Sequence, residues 1–481
     1  MLTQLVPVPR PRLKLLEAEA VKVIHESALK LLEEVGVWID NEEALALLRE
    51  AGAEVRGRVA AIPPSLVEEA VRKVPRSFTL YDTRGRPYAV IGESVTHFNP
   101  GSAATWILDY GSAKPRRPTL EDVERVARLA DSLPNIKLQS TAIVPWDVPE
   151  ELRDRIRLYV VLKLSSKPVV TGAFTVEGAR EMLEMLRIVV GDPAEKPCAI
   201  FDVCPSPPLK WSRITSQNLL DCARSGVPVE IVPMPQLGAT APVTLAGALV
   251  QHHAEALSGV VLAQLARPGA PVIYGGSPCE FDMFRATANI ASPETMLLYI
   301  GYVELARELG IPTHGYLALS DSKLVDYQAG VEACMGALVA ALAGVDVASG
   351  PGMLEFENVF SLEKLVLDDE ACGYALRLAE GFEVDEERLA LRVFREVRWS
   401  AGFLRHLHTV RHFREEHYVP RIFDRSPRAQ SGATALEIAH TEVERLLKEH
   451  EPEPLSSDVE RRLDEAARGM FEERGLKLPK L

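Results

Sequence analysis

The sequence has no hydrophobic run long enough to cross a membrane. None of its apolar stretches approaches the roughly 18 uninterrupted residues that a spanning helix needs. Residues 1–14 include basic side chains but no apolar core of a secretory signal, so we expect no such signal. Cysteine is also scarce, because the six cysteines among 481 residues form no C-x-x-C pair. This pattern favours reduced thiols in a cytoplasmic protein over a disulfide framework.

An excess of positive charge is missing too. Lysine and arginine total 54 against 68 acidic residues, which leaves a formal net charge of −14. A nucleic-acid footprint or a polybasic membrane surface requires the opposite balance, so we expect neither partner. No G-x-G-x-x-G follows an early strand and no Walker A sequence is present. Nothing in the sequence therefore indicates a bound dinucleotide or a phosphate-binding loop.

The first part of the chain has helical periodicity. Apolar residues recur at helical spacing in three segments, 17–35, 42–50 and 66–74. Alternation over 79–90 is typical of a β-hairpin. We therefore interpret residues 1–93 as an N-terminal helical cap with one short hairpin.

From residue 94 onward, a strand and a helix alternate eight times. The predicted strands are 95–99, 136–144, 168–174, 198–204, 228–234, 271–275, 312–317 and 345–350. They are short apolar runs, as in a parallel sheet that is buried on both faces. Eight such pairs over 94–382 predict a (β/α)8 TIM barrel, with an open doubly wound sheet as the competing architecture. Residues 383–481 form a predicted C-terminal helical extension, with helices at 387–410, 435–450 and 457–475.

The carboxyl ends of the predicted strands indicate where chemistry could take place. In a (β/α)8 barrel, catalytic side chains lie at these ends, which selects candidates before any motif is considered. The fourth strand ends at Asp202 and Cys204, and loops rich in glycine and proline follow the sixth and eighth strands. Such loops bring the backbone close to a ligand, although they also simply turn the chain. The candidate binding residues at these ends are Gln236, Tyr274, Glu280, His314, Tyr316, Asp321, Lys323, Glu355 and Phe356.

Three of these candidates are aromatic. Tyr274, Tyr316 and Phe356 could form a box of ring faces around a cation, with Glu280 or Glu355 countering its charge. Core packing is an alternative role for each aromatic side chain, and a solvated or capping role is an alternative for each glutamate. The residues alone therefore predict a polar and aromatic pocket without deciding its ligand.

Metal-binding patterns are incomplete. His408 and His412 have the i, i+4 spacing of zinc ligands, but the glutamate of H-E-x-x-H and a clear third ligand are missing. Cys279 lies in a Gly-Ser-Pro-Cys loop that resembles the zinc-thiolate loop of barrel methyltransferases, without its second cysteine. No nucleophile elbow is visible either. We therefore expect no metal site and no catalytic residue of these kinds.

Four motifs carry a resemblance to a known family. They are LEEVGV at 32–37, DSK-x-x-D-x-QAG at 321–330, G-x-GMLE at 350–355, and FL, HT and HFR within 403–414. Their order and spacing resemble the trimethylamine methyltransferase family of corrinoid-dependent enzymes, over almost the whole chain. The resemblance implies a (β/α)8 barrel that passes a methyl group to the cobalt of a separate corrinoid protein.

The archaeal trimethylamine enzymes of that family carry pyrrolysine, whereas this sequence contains only the twenty standard residues. It therefore resembles the pyrrolysine-free branch, whose characterised members demethylate quaternary amines such as glycine betaine, proline betaine and carnitine. A quaternary nitrogen is already cationic and departs as a neutral tertiary amine, so no general acid is required. The resemblance implies that Co(I) of the partner is the nucleophile, and that the chain needs no tightly bound cofactor of its own.

We therefore predict a glycine betaine methyltransferase-like enzyme that moves a methyl group from a quaternary amine to a cognate corrinoid protein. If the substrate is a betaine, its carboxylate needs donors, and His314, Lys323 and Gln236 are candidates. We also expect a homo-oligomer. Two alternatives stay open, a non-catalytic betaine-binding barrel and a zinc-thiolate methyltransferase or hydrolase that uses Cys279.

Overall fold

A computed structural model of the protein describes residues 11–399, 402–428, 430 and 432–479. Residues 1–10 lie outside these described residues, and they make up most of the segment in which we expect no secretory signal. The end of the predicted C-terminal extension also lies outside them. Within the described ranges, no helix combines the length and the apolar character that crossing a bilayer would require.

The N-terminal region contains the three predicted helices and the hairpin. Its elements are α1 (Ala18–Glu34), β1 (Val37–Ile39), α2 (Glu42–Glu50), β2 (Glu54–Arg56), β3 (Val59–Ala61), α3 (Pro64–Lys73), β4 (Phe78–Tyr81) and β5 (Pro87–Ile91). Asn41 explains the start of α2, because its side-chain oxygen accepts hydrogen bonds from the N–H groups of Glu43 and Ala44 at 2.9 and 3.2 Å. The pair β4–β5 is antiparallel.

The central region alternates strands and helices. Its strands are β6 (His97–Asn99), β7 (Trp106–Ile107), β8 (Gln139–Ser140), β9 (Val169–Thr171), β10 (Ala199–Val203), β11 (Lys210–Trp211), β12 (Val229–Ile231), β13 (Gln236–Leu237), β14 (Val272–Tyr274), β15 (Cys279–Asp282), β16 (Thr287–Asn289), β17 (His314–Tyr316), β18 (Val347–Ser349), β19 (Met353–Leu354) and β20 (Val359–Phe360). Its helices are α4 (Leu120–Ser132), α5 (Arg153–Leu164), α6 (Val176–Val190), α7 (Arg213–Ser225), α8 (Leu245–Ala266), α9 (Pro293–Leu309), α10 (Tyr327–Ala343) and α11 (Leu362–Glu380), with a 3-10 turn at Glu150–Leu152 before α5. Each of the eight predicted strands contains one strand of this set.

The main strands form two parallel sheets in this α/β fold. The first has the order β14-β12-β10-β9-β8, and the second has the order β17-β18-β6. Single parallel bridges connect the sheets at both edges, between Phe98 and Ile136 and between Tyr274 and Thr313. The carboxyl ends of all eight strands therefore lie on the same side of the molecule.

The helices bury the outer faces of these sheets. Helix α8 has almost no polar stripe, because α1 and α3 pack on it from outside while its inner face contacts the sheet. The N-terminal region also contributes a small sheet of order β11-β1-β3-β2, which the sequence analysis missed. Strands of three residues are too short to produce a measurable period, and β11 comes from a loop far along the chain.

The C-terminal region is helical, but one predicted helix is wrong. Its elements are α12 (Glu386–Leu389), α13 (Leu391–Val397), α14 (Leu407–Glu416), α15 (Ala435–Glu449) and α16 (Ser457–Glu472). The single helix predicted over 387–410 is interrupted, because Ala390 and Arg398 adopt left-handed backbone angles with φ of 54° and 50°. The other two predicted helices correspond to α15, which packs on α11, and to α16, which packs on α5 and α6.

Candidate functional site

Polar side chains converge where the parallel strands end. Asp202 on β10 is paired in register with Glu230 on β12, and Tyr316 on β17 is in register with Ser349 on β18 and through it with Asn99 on β6. Glu230, Ser349 and Asn99 are completely buried, whereas Asp202 is half-buried. Buried polar groups at strand ends are costly unless they are bonded, which makes their hydrogen bonds informative.

A hydrogen-bonded chain fixes the protonation of His314. The Asn99 amide donates to Pro100 O at 2.9 Å, so its oxygen is the acceptor for the Ser349 hydroxyl, also at 2.9 Å. Ser349 Oγ must then accept the hydrogen of His314 Nε2, which lies 2.7 Å away. Burial lowers the pKa of His314 to about 4, so the ring is neutral at pH 7 and its Nδ1 carries no hydrogen. Its partner at Nδ1 is Glu230 Oε1, which therefore holds a proton.

Asp202 and Glu230 form a carboxyl pair. Burial raises the pKa of Glu230 to about 8, and burial together with the neighbouring charge of Glu230 raises the pKa of Asp202 well above its usual range. The two residues are a register pair on neighbouring strands, and among the described residues Asp202 Oδ1 and Glu230 Oε2 have no hydrogen-bond partner. The Tyr316 hydroxyl also donates to Asp202 Oδ2, at 3.4 Å. The pair is thus poised to gain a cation in exchange for a proton.

Glu357 adds a third carboxyl group to this pair. Burial and the charge of Asp202 raise the pKa of Glu357 to about 8, and its Oε1 has no hydrogen-bond partner among the described residues. Glu357 ends a run of three non-glycine residues with positive φ, at 47° for Glu355, 58° for Phe356 and 67° for Glu357. Each such residue costs on the order of 1–3 kcal/mol, and strained backbone of this kind concentrates at functional sites. We refer to Asp202, Glu230 and Glu357 as the carboxyl cluster.

The nine candidate residues predicted from the sequence lie in different parts of the structure. His314 and Tyr316 belong with the carboxyl cluster. Tyr274 is fully buried, and its hydroxyl is hydrogen-bonded to His253 Nδ1 at 2.8 Å rather than exposed to a ligand. Gln236 and Glu280 lie on the paired strands β13 and β15, where Glu280 accepts a hydrogen bond of 2.5 Å from Asn289.

The remaining candidates lie together in the loops after β17 and β18. Lys323 Nζ lies 4.2 Å from the ring centre of Phe356 and donates to Asp321 O at 2.8 Å. The Asp321 carboxylate accepts the N–H groups of Ile290 and Ala291, and burial raises its pKa to about 6. Glu355 contacts this group through its N–H, which donates to Ser322 O at 2.9 Å. One face of Phe356 is therefore already used by a cation of the chain itself.

Sequence reasoning named Asp202 as a strand-end residue but did not select it, and it missed Glu230 and Glu357. For Glu230 a signal exists, because it is the single charged residue in an otherwise apolar run that is buried on both faces. For Glu357 the sequence gives no comparable signal, since its position depends on the strained loop that precedes it.

The two metal-binding patterns of the sequence, at His408 with His412 and at Cys279, remain incomplete among the described residues. In the described part of the chain, no group of three histidine, cysteine, aspartate or glutamate side chains could hold a metal ion. His408 Nε2 is bonded to Glu387 O at 3.0 Å, and His412 Nε2 to the Glu387 carboxylate at 3.3 Å. All six cysteines, which lie within the described ranges, are free thiols, and burial raises the pKa of Cys279 to about 12.

Comparison with known proteins identifies a matching protein family. The family model for trimethylamine methyltransferase (MTTB) matches residues 2–470. A glycine betaine methyltransferase of Desulfitobacterium hafniense (strain Y51) is 33% identical over 461 residues, which cover 94% of this chain and 96% of that protein. The trimethylamine methyltransferase MttB of Methanosarcina barkeri is 32% identical over 438 residues, which cover 86% and 87% of the two chains.

A solved structure supports the architecture. The monomethylamine methyltransferase MtmB of Methanosarcina barkeri superposes with a TM-score of 0.52 over 97% of this chain and 90% of that one. The two sequences are only 12% identical, so this similarity concerns the fold alone.

Proposed function

Because the chain belongs to the trimethylamine methyltransferase family, we propose that it transfers a methyl group from a quaternary amine to the Co(I) of a corrinoid carried by a partner protein. Glycine betaine is the first substrate to test, since the relative with 33% identity over nearly the full length of both chains bears that name. A longer betaine or carnitine is the second choice. The observation that carries the proposal is the carboxyl cluster, which offers a permanent cation three acidic groups that interact electrostatically with one another.

We also propose that the eight main strands close into a (β/α)8 barrel. The support is their cyclic order, in which two parallel sheets are linked at both edges by the Phe98–Ile136 and Tyr274–Thr313 bridges. Their carboxyl ends then surround one mouth, and enzymes with this architecture hold their active sites there. The carboxyl cluster would lie in that mouth.

The chain's own residues have a limited task in this reaction. The corrinoid of the partner supplies the nucleophile, which accepts the methyl group while the C–N electron pair remains on nitrogen. The leaving group is a neutral tertiary amine, so no residue has to donate a proton. The carboxyl cluster binds the cation, Tyr316 holds Asp202 in place, and the surrounding loops keep water away from the reacting bond.

The cellular setting and assembly follow as further proposals. Six free thiols support a reducing compartment such as the cytoplasm. A homo-oligomer would cover apolar side chains that are strongly exposed in the C-terminal region, among them Phe394 at 57%, Trp399 at 96% and Leu404 at 83%.

A spectral assay tests the reaction. Purified protein is mixed with reduced free cobalamin and a panel of quaternary amines, and conversion of cob(I)alamin to methylcobalamin is followed. We expect glycine betaine to support conversion with release of dimethylglycine, and trimethylamine to support little. The Asp202→Asn variant serves as the control for a reaction that depends on the carboxyl cluster.

Three results would contradict the proposal in different ways. A better rate with trimethylamine would exclude the quaternary-amine mechanism. Betaine binding without methyl transfer would favour a non-catalytic betaine-binding protein. Loss of transfer on adding a chelator would favour the zinc-thiolate alternative that uses Cys279.

A further inference from the structure

Arg157 on α5 is a buried cation whose hydrogen-bonding capacity is only partly used. Its side chain is 1% exposed. Nη2 donates to the carbonyl oxygen of Thr141 and, at 2.8 Å, to the Thr141 hydroxyl. Within the described part of the chain, Nε and Nη1 have no hydrogen-bond partner. Buried donors are nearly always satisfied, so two open ones on a single guanidinium require an explanation.

The position of Arg157 connects it with the carboxyl cluster. Thr141 follows β8, and the Phe174 ring, which follows β9, lies 5.1 Å from the guanidinium carbon. Two acidic groups, Asp154 and Asp202, act electrostatically on Arg157. Asp154 is engaged elsewhere, because its carboxylate accepts from Arg155 at 2.9 Å and from the N–H of Phe174 at 2.8 Å. Burial lowers the pKa of Arg157 to about 10, which leaves it charged at pH 7.

The Arg157 guanidinium and the Asp202 carboxyl group are near enough to interact electrostatically at the strand ends. Strands β8 and β10 are separated by β9 alone, so Thr141 and Asp202 stand about 10 Å apart at ordinary strand spacing. A ligand between them would meet open donors on one side and the carboxyl cluster on the other. An amine without an anionic group would use only half of this arrangement.

We propose that Arg157 binds the carboxylate of a zwitterionic quaternary ammonium substrate while the carboxyl cluster holds its ammonium group. This inference rests on the proposed function and deepens it, since it makes Arg157 the residue that selects betaines over simple amines. The donors suggested by the sequence are less suited. Both ring nitrogens of His314 are bonded to Glu230 and Ser349, and Lys323 Nζ donates to Asp321 O and faces Phe356. An arginine also remains charged when it is desolvated and matches a carboxylate geometrically.

Calorimetric binding to two probes tests this role. Glycine betaine carries both charges, whereas tetramethylammonium carries only the cation. In Arg157→Gln we expect the Kd of glycine betaine to rise about tenfold or more, because a charge-assisted hydrogen bond is lost. The Kd of tetramethylammonium should stay the same or fall, because a nearby positive charge is removed. Arg157→Lys should restore part of the betaine affinity.

Arg155→Gln is the matched control, since Arg155 lies on the same helix but is paired with Asp154 and Glu181. It should leave the ratio of the two Kd values unchanged, whatever it does to the melting temperature. A parallel rise of both Kd values in Arg157→Gln would overturn the inference, as would a wild-type protein that binds tetramethylammonium as tightly as glycine betaine. If Arg157→Gln does not fold, the wild-type ratio and Arg157→Lys decide.

The proposed function can be refuted independently of the role of Arg157. Wild-type protein that binds betaine through Arg157 but transfers no methyl group would refute the reaction and leave the role of Arg157 intact.

Discussion

The acidic pair Asp202 and Glu230 differs in its surroundings from a second acidic pair on α11. Asp369 and Glu370 on α11 are completely buried. The Asp369 carboxylate accepts from the N–H groups of Asn135 and Ile136 and from Arg421, and Glu370 accepts from the Tyr418 hydroxyl and from backbone N–H groups that follow it. Among the described residues, Asp202 and Glu230 have no lysine or arginine at hydrogen-bonding distance, and each keeps one carboxyl oxygen without a hydrogen-bond partner.

The difference distinguishes a structural role on α11 from the binding role that we propose for the carboxyl cluster. Burial raises the pKa of Asp369 as well, but the charge of Arg421 and several N–H donors oppose that rise, and together they fasten the C-terminal region to α11. At the carboxyl cluster no described lysine or arginine forms a salt bridge, and Arg157 acts on Asp202 only through a longer-range electrostatic interaction. A group that folding leaves uncompensated is available to a ligand, which is why such clusters mark binding sites.

The largest effect should come from removing charge at the carboxyl cluster. Asp202→Asn is nearly isosteric with the protonated side chain, so the fold should persist. One counter-charge about 5 Å from a cation in a partly shielded site contributes about 3 kcal/mol, so the Kd of glycine betaine should rise roughly a hundredfold. Calorimetric titration measures this, with an unchanged melting temperature as its control. An unaltered Kd would place the cation elsewhere.

The same chemical change on α11 should have the opposite consequences. Asp369→Asn places an amide against donors that now bond to the carboxylate, and it should reduce the free energy of unfolding by about 1–3 kcal/mol. Once folded, the variant should bind glycine betaine as the wild type does. Denaturant titration and calorimetry on the same preparation check both points. A loss of affinity that matches the Asp202 variant would erase the distinction between the two pairs.

A smaller effect is expected from pH. Because the pKa values of Glu230 and Glu357 are raised to about 8, binding a cation below that pH must release a proton. Affinity should therefore increase as pH rises, by at most about tenfold per unit and proton, and level off above about pH 8. Titrations in buffers of different ionisation enthalpy would detect the released proton, and Glu230→Gln should flatten the profile.

The unliganded protein should respond to pH in the reverse sense. Between the ordinary glutamate pKa and about 8, the folded state keeps protons that the unfolded chain has lost, so the stability contribution of these groups falls as pH rises. Melting curves over the same pH range measure it. Affinity and stability that rise together would contradict the assignment of raised pKa values to the carboxyl cluster.

Local sequence patterns were sufficient for most elements. The eight main strands were predictable because a strand buried on both faces is a short apolar run between helices, whatever its neighbours are. The three N-terminal helices were predictable from spacing and caps such as Asn41. The helix predicted over 387–410 failed because helical periodicity there continues across two residues with left-handed backbone angles, which spacing does not reveal.

By itself, the sequence determined the alternation of strands and helices, the scarcity of reactive cysteine and the family, because each is encoded in local pattern or in the order of motifs. Only the tertiary structure decided which residues form the candidate site. Asp202 and Glu230 lie on neighbouring strands, Glu357 lies in the turn between β19 and β20, and Arg157 lies on α5. They approach one another because the parallel strands end on one side of the sheets. Their charge states also follow from burial, a property that no residue possesses until the chain has folded around it.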